Sequence, residues 1–117
     1  MSHNQKIGRW GEAAAAEFLL ARGYAILERN ARTPLGEIDI VACREGITVF
    51  VEVKARTSRR FGFPEEAVTP RKQAHMLAAA EYYAAEHEID FWQADVLAVE
   101  GQPGSRPGIV HFENVLS

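Results

Sequence analysis

The 117-residue chain predicts an α/β domain in which helices flank a mixed β-sheet, in the order α-β-β-β-α-β-β. Three observations predict this. An alanine-rich stretch with apolar residues at helical spacing ends at Gly23. Two runs rich in β-branched residues, Gly36 to Arg44 and Ile47 to Ala55, flank Glu45-Gly46. Thr69-Pro70 then opens a second helical stretch that is followed by two further apolar runs.

Taken in order, residues from about Asn4 to Arg22 form the first helix, with Ile7, Gly11, Ala14, Phe18 and Ala21 on its apolar stripe and Gly23 as its C-cap. Glu12 sits beside that stripe, stacked with Gly8, Ala15 and Leu19. Tyr24 to Ala31 reads as the first strand, and Thr33-Pro34-Leu35-Gly36 turns the chain into a hairpin. After Lys54 the stretch from Arg56 to Val68 is irregular. Thr69 then caps a helix with Pro70 at its first position, running to about His87 with Gln73, Met76, Leu77, Ala80 and Ala84 inward. Phe91 to Val99 and Ile109 to Asn114 are the fourth and fifth strands. No repeat, low-complexity run or linker marks a second unit, so residues 1–117 read as a single domain.

Composition narrows the class. Cys43 is the single cysteine, which excludes an internal disulfide and a cysteine pair for zinc. The amino end lacks a signal-peptide run and no stretch reaches membrane-spanning length, so a cytoplasmic protein without a membrane partner is expected. Net charge is −3, yet its distribution is uneven. Through Lys72 there are twelve Lys/Arg against nine Asp/Glu, whereas from Gln73 onward one Arg faces seven acids. The most basic stretch, with Lys54, Arg56, Arg59, Arg60, Arg71 and Lys72, suits a phosphate backbone, because phosphate contacts are local.

The hairpin concentrates the chemistry. If its loop is centred between Glu45 and Gly46 with an even number of residues, Arg44 faces Ile47, and counting outward sets Asp39 opposite Glu52 and Glu37 opposite Lys54. Opposed residues share a face with Cβ atoms ~4.5–5.5 Å apart, so the four side chains are expected together. A bulge at Gly46 would slip that register. Carboxylates held so close repel each other, and a hard divalent cation such as Mg²⁺ relieves the conflict because it prefers oxygen ligands. Glu37 and Lys54 also read as an ordinary cross-strand ion pair. The four histidines show no ligand spacing, and His111 reads as a residue on a strand face.

Several motifs together closely resemble the small bacterial YraN family: Gly8-Arg9-Trp10-Gly11-Glu12, Gly23-Tyr24, Asn30-Ala31-Arg32, Gly36-Glu37-Ile38-Asp39, Phe50-Val51-Glu52-Val53-Lys54-Ala55-Arg56, the Phe61-Gly62 to Pro64 segment, and Lys72. That family is similar to archaeal Holliday-junction resolvases and, by its motifs, to the PD-(D/E)xK nucleases, which implies a restriction-endonuclease-like fold. The resemblance implies that Asp39 and Glu52 are metal ligands for Mg²⁺ or Mn²⁺, joined by the Val53 carbonyl and by Glu12 from the first helix. It implies that Lys54 orients the attacking water and stabilises charge on the phosphorane. Glu37, Gln73 and Asp95 are accessory candidates, Asp95 because it lies amid apolar residues on the fourth strand and matches an aspartate of the family. The implied activity is endonucleolytic hydrolysis of structured or branched DNA that leaves 5′-phosphate and 3′-hydroxyl ends. Paired cutting of a four-way junction implies a homodimer. A nucleic-acid-binding module without catalysis, and a scaffold that uses the acidic carboxyl-terminal surface, are the competing readings.

Overall fold

The computed structural model describes residues 2–58 and 62–116. Helix α1 (His3–Ala21) opens with a capping box: Ser2 Oγ accepts from the Gln5 amide at 3.2 Å, and the Ser2 amide donates to Gln5 Oε1 at 3.0 Å. Strands β1 (Ala25–Thr33), β2 (Gly36–Arg44) and β3 (Ile47–Arg56) follow as an antiparallel meander. A 3₁₀ turn at Pro64–Ala67 leads to α2 (Pro70–Glu86), and β4 (Trp92–Glu100) and β5 (Gly108–Phe112) complete the chain. The five strands lie in the order β1-β2-β3-β4-β5, with β3 and β4 parallel and joined through α2. The expected α-β-β-β-α-β-β order is the observed one.

The β2–β3 register is the one that an even loop demands. Glu45 (φ 53°) and Gly46 (φ 80°) both occupy the left-handed region, which makes a two-residue turn of the I′ kind and pairs Arg44 with Ile47. The pairing runs inward to Ile40 and Val51, and Asp39 and Glu52 are the next residues on each strand.

The sheet separates two apolar layers. On one side Leu19 and Ala15 of α1 pack on Ile40, Val49, Val51, Leu97 and Val99; on the other Ala79, Ala80, Tyr83 and Ala84 of α2 pack on Val41, Phe50 and Ala94. Both helices differ in rotation from the expected stripes. In α1 the buried set is Ile7, Gly11, Ala15, Ala16 and Leu19, while the expected Ala21 is exposed. In α2 Leu77 is 41% exposed, and Ala79 and Tyr83 take the inward places. Tertiary contact decides the rotation: Ala15, Ala16 and Leu19 of α1 and Ala79, Ala80, Tyr83 and Ala84 of α2 are the residues that meet the sheet.

Gly11 marks a close approach of α1 to the sheet, since a Cβ built there would run into Ala55 Cβ on β3. A Cβ on Gly8, one turn earlier, would meet nothing within 4 Å. Gly11→Val is therefore expected to cost about 1–3 kcal/mol in a urea melt, as overpacking does. Gly8→Ala should leave stability unchanged or raise it, because alanine is the better helix former.

Candidate metal centre

Asp39 stands where β2 and β3 leave their shared ladder. Its Oδ2 accepts from the Val53 amide at 2.8 Å, so its side chain occupies a bonding position on β3 that a strand carbonyl would otherwise fill. Strand alternation breaks here too: Ile38 packs in the α2-side layer and Ile40 in the α1-side layer, although they are two residues apart. The expected single face for Glu37, Asp39, Glu52 and Lys54 is therefore replaced by an arrangement that straddles the sheet.

Asp39 borders both sides of it. Toward α1 it lines a cleft of about 570 Å³ with Glu12, Val53, Lys54 and Thr57. Toward α2 it shares a small recess with Glu37, Glu52, Phe50 and Met76. Burial, set against the single Val53 hydrogen bond and reinforced by the charges of Glu12, Glu52 and Glu37, pushes the Asp39 carboxyl from 3.8 up to about 6. Glu12 is raised as well, first by desolvation and further by Glu37, while Arg29 and Asn30 oppose the rise.

Glu37 does not sit with Lys54. It is drawn to β1, where Arg32 Nε lies 4.0 Å from its Oε2. Glu52 is paired with Lys72, whose Nζ lies 3.8 Å from Oε1; both side chains are about one-third exposed, which places the pair among those worth at most ~1 kcal/mol. Lys72 reaches Glu52 because the Thr69 hydroxyl accepts the Lys72 amide at 3.2 Å and so fixes the start of α2 beside the recess. Arg56 Nη1 donates to the Phe63 carbonyl at 3.4 Å and lines a second cavity with Lys54. Arg71 is exposed on the first turn of α2, and Gln73 is half-buried two residues on. Arg59 and Arg60 lie outside the described residues.

Two features escaped the sequence reading. One is a groove of about 770 Å³ that shares Glu12 with the cleft and is walled by Arg9, Arg29 and Arg32, together with Gln5, Asn30 and Glu37. These arginines are scattered through the sequence, and only the meeting of α1 with β1 gathers them. The other is the partnership of Asp95, which is fully buried. Its carboxylate takes His111 Nε2 at 2.7 Å, Gln93 Nε2 at 2.9 Å and the Asn114 amide at 2.9 Å. Ligand atoms of Asp95, His111 and Glu113 lie within 4.8 Å of one another, the set of three that meets this spacing among the described residues. With three donors already on Asp95, the group fastens β4 to β5 and the carboxyl-terminal segment.

The donor set around Asp39 is all oxygen and carries excess negative charge, which fits a hard divalent cation. Among the described residues no helix is long and apolar enough to cross a membrane.

The model for the family described as Uncharacterised protein family UPF0102 matches residues 11–99, a span that contains Glu12, Asp39, Glu52, Lys54 and Asp95. A UPF0102 protein of Syntrophotalea carbinolica is 46% identical over 108 residues, which cover 91% of this chain and 87% of that one. Another, from Trichlorobacter lovleyi, is 46% identical over 114 residues, covering 95% and 90%. A third, from Thermus thermophilus, is 43% identical over 96 residues, covering 82% and 85%. The chain therefore belongs to the uncharacterised protein family UPF0102, the YraN family that its motifs resemble.

Proposed function

We propose that this protein is a metal-dependent endonuclease of the PD-(D/E)xK kind that hydrolyses phosphodiester bonds in structured or branched DNA during repair or recombination. The observation that carries the reading is Asp39, a largely buried carboxylate fixed by one backbone N–H and surrounded by the charges of Glu12, Glu52 and Glu37. Such a site is destabilised without a cation and suited to one.

Asp39, Glu52 and Glu12 would hold Mg²⁺ or Mn²⁺, with the Val53 carbonyl as a further oxygen. When bound, the ion supplies Lewis acidity to the phosphate. The protein's own groups do the rest. The Val53 amide donates to Asp39 Oδ2 and so helps to fix the orientation of that carboxylate. Lys54, on the wall of the cleft, orients the attacking water and offsets charge that grows on the phosphate oxygens. Arg9, Arg29 and Arg32 on one flank, and Arg56, Arg71 and Lys72 on the other, offer the nucleic-acid backbone contacts that position it without reading sequence.

The test is cleavage of a labelled four-way junction, flap, single strand, linear duplex and RNA with Mg²⁺, Mn²⁺ or EDTA. Wild type is expected to cut only with metal, and Glu52→Ala to lose about a hundredfold or more of that rate. Cutting by Glu52→Ala at the wild-type rate would overturn the assignment. Salt-dependent DNA binding without cutting would mark a binding module, and no DNA affinity at low salt a scaffold.

A further inference from the structure

One residue of β1 departs from strand geometry beside the acids. Asn30 has φ 54°, in the left-handed region that asparagine enters more readily than most residues. It lies between the rungs Arg29↔Ile40 and Ala31↔Ile38, level with Asp39, where the alternation of β2 also breaks. The two irregularities are thus neighbours across the β1–β2 ladder. With its nitrogen turned toward the acids, the Asn30 amide donates to Glu12 Oε1 at 2.9 Å and to Glu37 Oε1 at 3.2 Å. An NH₂ group has two hydrogens, so both bonds form at once and use one oxygen of each carboxylate.

We propose that Asn30 is a positioning residue of the metal centre: its left-handed backbone aims one neutral donor at two carboxylates from different elements and holds Glu12 at the mouth of the cleft. This deepens the metal-centre reading and rests on it. Neutrality is the point. Lysine or arginine here would also draw Glu12 and Glu37 together but would bring a positive charge that opposes cation binding, and aspartate would add a third negative charge. Glycine would keep the backbone conformation and lose the donor.

The experiment is a Mn²⁺ titration by calorimetry on the full chain, with melting curves in EDTA, for wild type, Asn30→Gly, Glu12→Ala, the double variant and Asp39→Asn. Asn30→Gly is expected to melt within a few degrees of wild type, since glycine relieves the left-handed strain, yet to bind Mn²⁺ about tenfold more weakly, as loss of an outer-sphere partner does. In the Glu12→Ala background the same substitution should change affinity little, because its effect passes through Glu12. Wild-type Mn²⁺ affinity in Asn30→Gly, or a full loss that persists without Glu12, overturns the inference. Binding lost in Asp39→Asn but kept in Asn30→Gly removes this inference alone. No binding by wild type removes the metal reading along with it.

Discussion

Replacing Asp39 with asparagine is expected to stabilise the cation-free protein while abolishing its response to divalent metal. In the folded chain the Asp39 carboxyl holds its proton up to about pH 6, against 3.8 for the ordinary carboxyl. Between those values the folded state binds more protons than the unfolded one, so stability falls as pH rises through the window and stays lower above it. The rise from 3.8 to about 6 sets a ceiling of about 3 kcal/mol at ~1.36 kcal/mol per pH unit. Partial hydration of the site makes about 2 kcal/mol the expected gain, or roughly 6–12 °C in melting temperature at pH 7.5. Asparagine keeps an oxygen to accept the Val53 N–H and does not titrate. Melts in EDTA should therefore show the advantage at pH 7.5, shrinking toward zero near pH 4. Added Mn²⁺ should raise the melting temperature of wild type and leave Asp39→Asn unmoved. A variant less stable than wild type at pH 7.5 would show that Asp39 has a counter-charge that the geometry does not reveal.

Asp95→Ala should behave in the opposite way. Burial tends to raise the Asp95 carboxyl, but hydrogen bonds from His111, the Asn114 amide and Gln93 outweigh it and hold the group below the ordinary 3.8. Its contribution is accordingly present above pH 3.8 and lost as pH falls through the lower folded value. Truncation removes the acceptor for three donors at once, at an expected cost of about 3–5 kcal/mol. That corresponds to a fall of more than about 10 °C in melting temperature. A thermal scan from pH 7 to pH 3 should show the deficit constant down to about pH 4 and narrowing only below it. Because its partners hold β4 against β5, the loss should appear as lower stability with Mn²⁺ affinity intact. Loss of affinity in a folded Asp95→Ala protein would tie the two acid clusters together.

The contrast between these two aspartates shows what local sequence can and cannot reveal. The hairpin was legible because everything that sets it is within reach of Glu45-Gly46: a two-residue turn fixes the register, which holds from Arg44↔Ile47 to Ile40↔Val51 and ends just before Asp39 and Glu52. Element order was legible for the same reason, from caps such as Thr69-Pro70 and from periodicity. The face from which each acid projects was not, because alternation is interrupted at Asp39 by a bond to Val53, and nothing in a strand-like string announces an interruption. Glu37 was assigned to Lys54 by continuing a count past the point where the pairing ends. The role of Asp95 depends on His111, sixteen residues away on another strand, a relation that no spacing rule contains. Glycine at position 11 was readable as part of a motif, but its cause, the nearness of Ala55, belongs to the packed state.

The β1–β2–β3 meander has a bearing on how the centre comes into being. Glu12, Asn30, Asp39, Glu52 and Lys54 all fall within the first 54 residues, in elements joined by connections of two or three residues. Chain closure over such short spans is fast, whereas the parallel pairing of β3 with β4 must wait for α2 to cross over. These acids and Lys54 are thus brought together by local connections, and the half of the chain that follows, fastened by Asp95, closes over a constellation already laid out.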